Sequence, residues 1–130
     1  EGRIRWLTRC LGKLGCQPRQ VLDFGCGTGT AVPFLRAMPG IESVTGLEVS
    51  EKSMAVARRL HGGPQVRFHS VQAYQPAANL DLAYCNGVFH HVPPSQRVEV
   101  MDYVRATLRP GGLFALWSAC PRSCLPAARA

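Results

Sequence analysis

The sequence predicts an α/β fold in which helices cover both faces of a doubly wound parallel sheet. Two observations carry this prediction. Short apolar, β-prone runs alternate along the chain with segments whose apolar residues recur at helical spacing, and a glycine-rich turn joins the first run to a helix. Strict alternation of strands and helices implies right-handed crossovers and therefore a parallel sheet. Ligands of such sheets bind outside the carboxyl ends of the strands, so we expect the functional site there.

The composition fits one globular domain without a nucleic-acid surface or a membrane span. The 130 residues are 46% hydrophobic and 18% charged, which allows a sizeable core. The formal charge of +7 comes mostly from scattered arginines, so no specific nucleic-acid partner is expected. The apolar runs are too short to span a bilayer and no signal-peptide pattern is visible, so we expect a cytoplasmic protein.

The six cysteines indicate neither a zinc site nor a disulfide framework. They lie at Cys10, Cys16, Cys26, Cys85, Cys120 and Cys124. No C-x-x-C pair and no Cys/His spacing suited to zinc is present, so no metal is expected. Cys26 and Cys85 fall within predicted core elements of an intracellular type, and we expect reduced thiols that serve in packing.

Residues 1–19 are predicted to form an N-terminal helix that covers a sheet edge or a ligand mouth. Its apolar stripe consists of Ile4, Leu7, Leu11 and Leu14. Gly15 and Pro18 end the helix. At the other end of the chain, residues 119–130 show neither period and are assigned as an irregular tail. The loss of pattern after Trp117, and a first residue other than Met, lead us to expect a piece of a longer protein.

Residues 20–118 are predicted to form the core. The first strand spans residues 20–24, and the glycine turn leads into a helix at residues 30–38, which Pro39-Gly40 closes. A second strand follows at residues 43–48. Ser50 then caps a second helix.

The second half of the core repeats this alternation. Gly62-Gly63-Pro64 ends the second helix, and a third strand begins at Val66. Residues 80–86 have the continuous apolar run of a buried parallel strand. Pro93-Pro94-Ser95 leads into a helix whose apolar residues at helical spacing are Val98, Met101, Val104 and Leu108. A turn at residues 109–112 and a fifth strand at residues 113–117 complete the pattern. The result is a Rossmann-like sheet of order 3-2-1-4-5.

The strongest functional signal is the turn after the first strand, where Gly25, Gly27 and Gly29 alternate. Glycine permits a sharp turn and lets a ligand lie against the chain, while free N–H groups collect at the following helix start. A glycine-rich turn without a ligand remains an alternative, because a lone glycine pattern is weak evidence.

Polar residues stand at the ends of the other strands as well. Glu48 ends the second strand, 19 positions beyond Gly29, where a carboxylate can accept bonds from both ribose hydroxyls. Gln72 follows the third strand, and Asn86 and His90-His91 follow the fourth. One ligand with a ribose, an adenine and a charged tail can touch all of these positions.

Four segments in register resemble the class I S-adenosylmethionine (SAM)-dependent methyltransferases. Asp23-x-Gly25-x-Gly27-x-Gly29 resembles motif I, and residues 46–50 resemble the second motif. Residues 89–92 and 108–113 resemble the later landmarks. Their order and spacing fit the small-molecule branch, including the ubiquinone and menaquinone C-methyltransferase-like enzymes. The resemblance covers about residues 21–117.

The resemblance implies a SAM cofactor, a small-molecule methyl acceptor and direct displacement at the sulfonium carbon. The glycine loop would approach the methionine part, Asp23 would anchor the loop or reach the amino group, and Glu48 would bind the ribose. Asn86 would line the floor beneath the sulfonium. The implied cofactor-binding residues are Asp23, Gly25, Cys26, Gly27, Gly29, Glu48, Val49, Gln72, Ala73 and Asn86.

The sequence departs from the resembled family at Gln72, and two roles are open to His90 and His91. The family often has an acidic residue near Gln72 that contacts the adenine amino group; the uncharged amide oxygen of Gln72 can accept that bond more weakly. His90 and His91 are candidates for a general base, since imidazole exchanges protons near neutrality. The alternative interpretation, which we favour, is that they cap the following turn and line the pocket.

Two other functions compete with a methyltransferase. A nicotinamide-dependent dehydrogenase uses G-x-G-x-x-G, whereas the third glycine here comes one residue early, at Gly29. A non-catalytic or impaired SAM-binding fragment is the second alternative, because members of the resembled family continue past strand five with two more strands. The acceptor atom and the oligomeric state are left open.

Overall fold

A computed structural model describes residues 1–118 of the chain. The helices are α1 (Gly2–Lys13), α2 (Val32–Arg36), α3 (Glu51–His61) and α4 (Arg97–Thr107). The strands are β1 (Gln20–Phe24), β2 (Ser43–Glu48), β3 (Val66–Ser70), β4 (Leu80–Asn86) and β5 (Leu108–Trp117). Two 3₁₀ turns, Phe89–His91 and Pro94–Gln96, connect β4 to α4.

The strands form one parallel sheet of order β3-β2-β1-β4-β5, which confirms the predicted topology. Because β1 is central, Asp23 pairs with Gly46 of β2 on one side and with Tyr84 of β4 on the other. The carboxyl ends of these three strands therefore meet at one edge of the sheet.

Apolar side chains on the two faces of the sheet make two cores, so helices cover both faces as predicted. One core joins α1, α2 and α3 to the sheet through Leu7, Leu35 and Met54. The other core joins α4 to the sheet through Val104, which is fully buried against Leu22 and its neighbours.

Helix α1 buries Ile4, Leu7 and Leu11, but the predicted fourth stripe position is wrong. Leu14 lies beyond the helix end as its C-cap and is 67% exposed, because the helix stops at Lys13. Trp6 is also largely exposed, and its ring meets that of Trp117 edge-on at a centroid distance of 5.8 Å. This contact holds the start of α1 beside the carboxyl end of β5.

The turn predicted at residues 109–112 lies inside a strand. Leu108 pairs with Leu80 and Leu113 pairs with Leu82, so residues 109–112 bulge out opposite Asp81. Gly111 has a φ of 80°, and Arg109 Nε donates to Asp81 Oδ1 at 2.6 Å. The local turn chemistry is present, but strand pairing resumes on both sides of it.

Helix α2 is shorter than the predicted helix at residues 30–38, because residues 28–31 form a turn and the helix ends at Arg36.

Within residues 1–118, Cys10, Cys16, Cys26 and Cys85 are free thiols and no cluster of three or more potential metal ligands occurs. No helix among these residues has the length and apolar character needed to cross a membrane. The predicted tail at 119–130, with Cys120 and Cys124, lies outside the described residues.

Candidate functional site

A cavity of about 570 Å³ opens at the carboxyl ends of the central strands. Its walls are mainly apolar, with Val49, Val71 and Val88 among them. Glu48, His91 and Gln96 are the charged or polar side chains of the lining. An apolar cleft with a few convergent polar groups is the usual form of a small-molecule site.

The glycine loop needs glycine for both conformation and space. Gly25, Gly27 and Gly29 have φ values of 71°, 55° and 81°, a region that other residues rarely adopt. A Cβ on Gly25 would lie 2.3 Å from Val88 Cγ2, whereas one on Gly27 would meet nothing within 4 Å. The backbone at Gly27 is therefore open to a ligand. The N–H of Gly25 donates to Leu47 O at 2.8 Å, which fixes the loop to β2.

Glu48 joins the glycine loop to the start of α3. Its Oε2 accepts from the Gly27 N–H at 2.9 Å, and its Oε1 accepts from the N–H groups of Val49 and Ser50 at 2.8 and 2.9 Å. A carboxylate offers about four lone-pair positions. The three N–H groups occupy two positions on Oε1 and one on Oε2, so one position on Oε2 remains free to accept a hydrogen bond from a ligand.

Asp23 lies buried one residue before the end of β1, where the glycine loop begins. It is 3% exposed, and its Oδ2 has no hydrogen-bond partner among residues 1–118. Burial, and secondly the charge of Glu48, raise the pKa of Asp23 to about 7 from an ordinary value of 3.8. A buried carboxyl without a partner, next to a second carboxylate, suits a positively charged ligand group.

Asn86 ends β4 on the side of the sheet that faces α1. Its Oδ1 accepts a hydrogen bond from the guanidinium of Arg3. Arg3 was not among the predicted site residues. It stands four positions before the buried Leu7, which puts it near the packed side of α1, and this helical spacing is the signal that could have identified Arg3.

The remaining candidates are placed unevenly around the cavity. His91 lines it, whereas its neighbour His90 does not, although the two rings are 3.9 Å apart. Val49 lines the cavity and is 64% exposed. Gln72 and Ala73 follow β3 outside the lining, where Ala73 N donates to Ser70 Oγ at 3.1 Å. Cys26 is a buried residue of the loop itself, and burial foremost raises the pKa of its thiol to about 12.

Comparisons with known sequences point to one family. A family described as a methyltransferase domain matches residues 21–112. The chain is 34% identical over 132 positions to ubiquinone biosynthesis O-methyltransferase of Bordetella avium strain 197N, an alignment that covers 95% of this chain and 52% of that protein. It is 28% identical over 98 positions to trans-aconitate 2-methyltransferase of Rhizobium leguminosarum bv. trifolii, an alignment that covers 75% of this chain and 38% of that protein. The chain thus spans about half, or less, of the length of these relatives.

Solved structures give the same indication. A SAM-dependent methyltransferase from Mesorhizobium loti superposes with a TM-score of 0.61 at 30% identity, covering 75% of this chain and 44% of that one. The complex of DhpI with S-adenosylhomocysteine (SAH) superposes with a TM-score of 0.63 at 28% identity, covering 73% and 46%.

Proposed function

Because the chain belongs to the class I SAM-dependent methyltransferases, we propose that it binds SAM at the carboxyl ends of β1, β2 and β4. We further propose that it transfers the methyl group to a small-molecule acceptor. The observation that carries the proposal is the 2.9 Å bond between Gly27 N–H and Glu48, which brings the glycine loop and the second-strand acid to one cavity. Membership in this family removes the dehydrogenase alternative.

The residues around the cavity fit the parts of SAM. The open lone pair of Glu48 suits a ribose hydroxyl, and the apolar walls at Val49 and Val88 suit the adenine. The buried carboxyl of Asp23 suits a positive charge over the glycine loop. Arg3, held at Asn86, offers a guanidinium to the carboxylate of the methionine part.

Bound SAM supplies a methyl group already activated by its sulfonium. The chain's own residues then need only to orient the two reactants and exclude water, which is the main source of rate in such a displacement. α1 covers one face of the sheet, and α4 with the preceding turn at Phe89 covers the other. His91 lines the cavity with His90 beside it, which supports a role for His91 in accepting a proton from an acceptor hydroxyl.

The acceptor is proposed to be a small molecule because the relatives are named for ubiquinone biosynthesis and for trans-aconitate. DhpI, at 28% identity, has been solved with SAM and with SAH, which supports the cofactor. Buried free thiols at Cys26 and Cys85 support work in the reducing cytoplasm.

A second candidate is a SAM-binding chain whose turnover requires further polypeptide. It is favoured by the relatives' length, about twice that of this chain. Within residues 1–118, β5 pairs with β4 alone and leaves one edge open. SAM binding without methyl transfer would distinguish it from the first candidate.

Substitution of Glu48 tests the cofactor assignment. We expect Glu48→Ala to weaken SAM binding by roughly 1.5–3 kcal/mol, the range for hydrogen bonds to a charged group. Isothermal titration calorimetry with SAM, SAH and NAD measures this. Glu51→Ala removes an exposed carboxylate in the first turn of α3 and is the matched control, with unchanged affinity expected.

Two results would contradict the proposal. One is equal SAM affinity for Glu48→Ala and the parent protein, and the other is binding of NAD with no response to SAM. Because Glu48 also holds three backbone N–H groups, thermal unfolding of each variant must accompany the titrations. Glu48→Gln, which keeps an acceptor oxygen, separates loss of charge from loss of the loop contacts.

A further inference from the structure

We propose that Asp23 is a proton-linked cation site: it holds a proton in the free protein and releases it to solvent when the positively charged part of SAM binds at the glycine loop. This inference rests on the proposed function. The free energy of SAM binding then depends on whether this one buried carboxyl is protonated.

The geometry leaves the Asp23 carboxyl without compensation. Its backbone is fixed between Gly46 and Tyr84 in the centre of the sheet, and the residue is only 3% exposed. Oδ2 is buried and has no partner among the described residues. An ionised carboxylate in such surroundings is strongly disfavoured unless a positive charge or hydrogen-bond donors reach it.

The titratable groups facing Asp23 do not supply that compensation. They are Glu48 from β2, Cys26 from the loop, and Tyr84 and Cys85 from β4. The pKa values of Cys26, Cys85 and Tyr84 are raised, first by burial, so these groups stay neutral near pH 7. Glu48 adds a like charge, which together with burial raises the pKa of Asp23 to about 7.

Arg3 brings a cation to this end of the sheet but does not pair with Asp23. Its guanidinium donates to Asn86, and none of the ion pairs among residues 1–118 includes Asp23. The buried carboxyl of Asp23 thus has no cation paired with it among the described residues. The methionine part of SAM carries a sulfonium, an amine and a carboxylate; with the carboxylate held by Arg3, the sulfonium or the amine near Asp23 would favour the ionised carboxyl.

The affinity for SAM should rise with pH up to about pH 7. Below about pH 7 Asp23 is neutral in the free protein, so SAM binding must expel its proton and the affinity must rise with pH. Above that pH the carboxyl is already ionised and the affinity levels off. The limiting slope below the midpoint is about tenfold in affinity per pH unit.

Calorimetry in buffers of different ionisation enthalpy counts the released protons. At pH 6 we expect close to one proton per SAM, and at pH 8 about a tenth of one. SAH lacks the sulfonium charge but keeps the amine. Release with both ligands identifies the amine as the partner, and release with SAM alone identifies the sulfonium. Release with neither overturns the proposal.

Variants identify the source of the proton. Asp23→Asn should bind SAM with no proton release and no pH dependence, whereas Asp102→Asn, an exposed change on α4 outside the cavity lining, should release as the parent does. Glu48→Gln removes the like charge and should move the midpoint of release to lower pH. Persistent release from Asp23→Asn, or loss of release from Asp102→Asn, contradicts the assignment.

Nuclear magnetic resonance of the parent protein avoids any folding defect of the variants. The carboxyl ¹³C signal of Asp23 should titrate near pH 7 in the free protein and clearly lower in the SAM complex. A free-protein midpoint below pH 5 overturns the inference. If the parent protein fails to bind SAM at all, the proposed function itself fails; if it binds SAM at constant affinity with no proton release, only this inference fails.

Discussion

Two carboxylates and one guanidinium stand near the carboxyl ends of the central strands, those of Asp23, Glu48 and Arg3. The positions of Asp23, one residue before the end of β1, and of Glu48, at the end of β2, follow from the sequence, because strand ends of a parallel sheet converge. Arg3 was missed because nothing local says which turn of α1 reaches β4; its contact with Asn86 spans 83 positions. Long-range contacts of this kind are fixed by packing, which a single sequence does not reveal.

The pH dependence of stability tests the burial of Asp23. Its folded-state pKa is raised to about 7 from 3.8, so the folded state holds the proton more tightly. The free energy of unfolding should therefore fall as pH rises from about 4 to 7 and then stay level. Asp23→Asn removes this penalty and should be more stable than the parent at pH 8 by roughly 2–4 kcal/mol.

Urea unfolding at pH 4, 6 and 8 measures the difference. The gap between Asp23→Asn and the parent should be near zero at pH 4 and grow to its full size by pH 7. Asp102→Asn, an exposed change on α4, is the matched control and should give no such gap. A gap independent of pH would show that Asp23 is not protonated in the folded state.

At the scale of elements, the glycine loop is the best-predicted part of the molecule. Its position between β1 and α2 and its need for unusual backbone angles follow from the residues alone. The tight contact between Gly25 and Val88 did not follow, because Val88 comes from the segment after β4. Similarly, the turn residues at 109–112 were recognised, but their place inside β5 depends on the distant pairing of Leu108 with Leu80.

Alanine substitutions in the loop should separate strain from steric conflict. Gly25→Ala meets both a φ of 71° and Val88 at 2.3 Å, so we expect a loss of about 2–4 kcal/mol. Gly27→Ala meets open space and should lose only about 1–2 kcal/mol for its left-handed backbone. Denaturant unfolding gives both values.

Two further variants control this comparison. Gly12→Ala lies in α1 with nothing within 4 Å and should be neutral or stabilising by up to about 1 kcal/mol. Val88→Ala in the Gly25→Ala background should restore the steric part alone. Equal losses for Gly25→Ala and Gly27→Ala would show that Val88 yields without cost.

At the scale of the whole molecule, the alternation of strands and helices and the handedness of crossovers predict a parallel sheet covered on both faces. The structure confirms this architecture and the predicted order β3-β2-β1-β4-β5. The same order places β3 and β5 at the two edges of the sheet. Within residues 1–118 the outer side of β5 has no strand partner, and Leu116 of β5 is 40% exposed. Open edges of this kind promote association between chains.

A charge at this edge should suppress that association. We expect Leu116→Lys to reduce concentration-dependent self-association relative to the parent, as measured by sedimentation velocity. Val98→Lys changes a 72% exposed residue on helix α4 and not on a strand, and serves as the control with parent-like behaviour. Equal effects of the two substitutions would assign the change to net charge instead of the edge.

The three amides on Glu48 have a consequence for how tightly a sugar can be held. They immobilise the side chain before any ligand arrives, so its rotamer freedom is lost during folding and binding is spared that entropy. The same three bonds leave one lone-pair position of the carboxylate free, so it can accept a hydrogen bond from one of the two ribose hydroxyls. For the second hydroxyl to bind the carboxylate as well, one of the three main-chain N–H groups must give up its bond. Preorganisation of Glu48 therefore limits its ability to bind both hydroxyls at once.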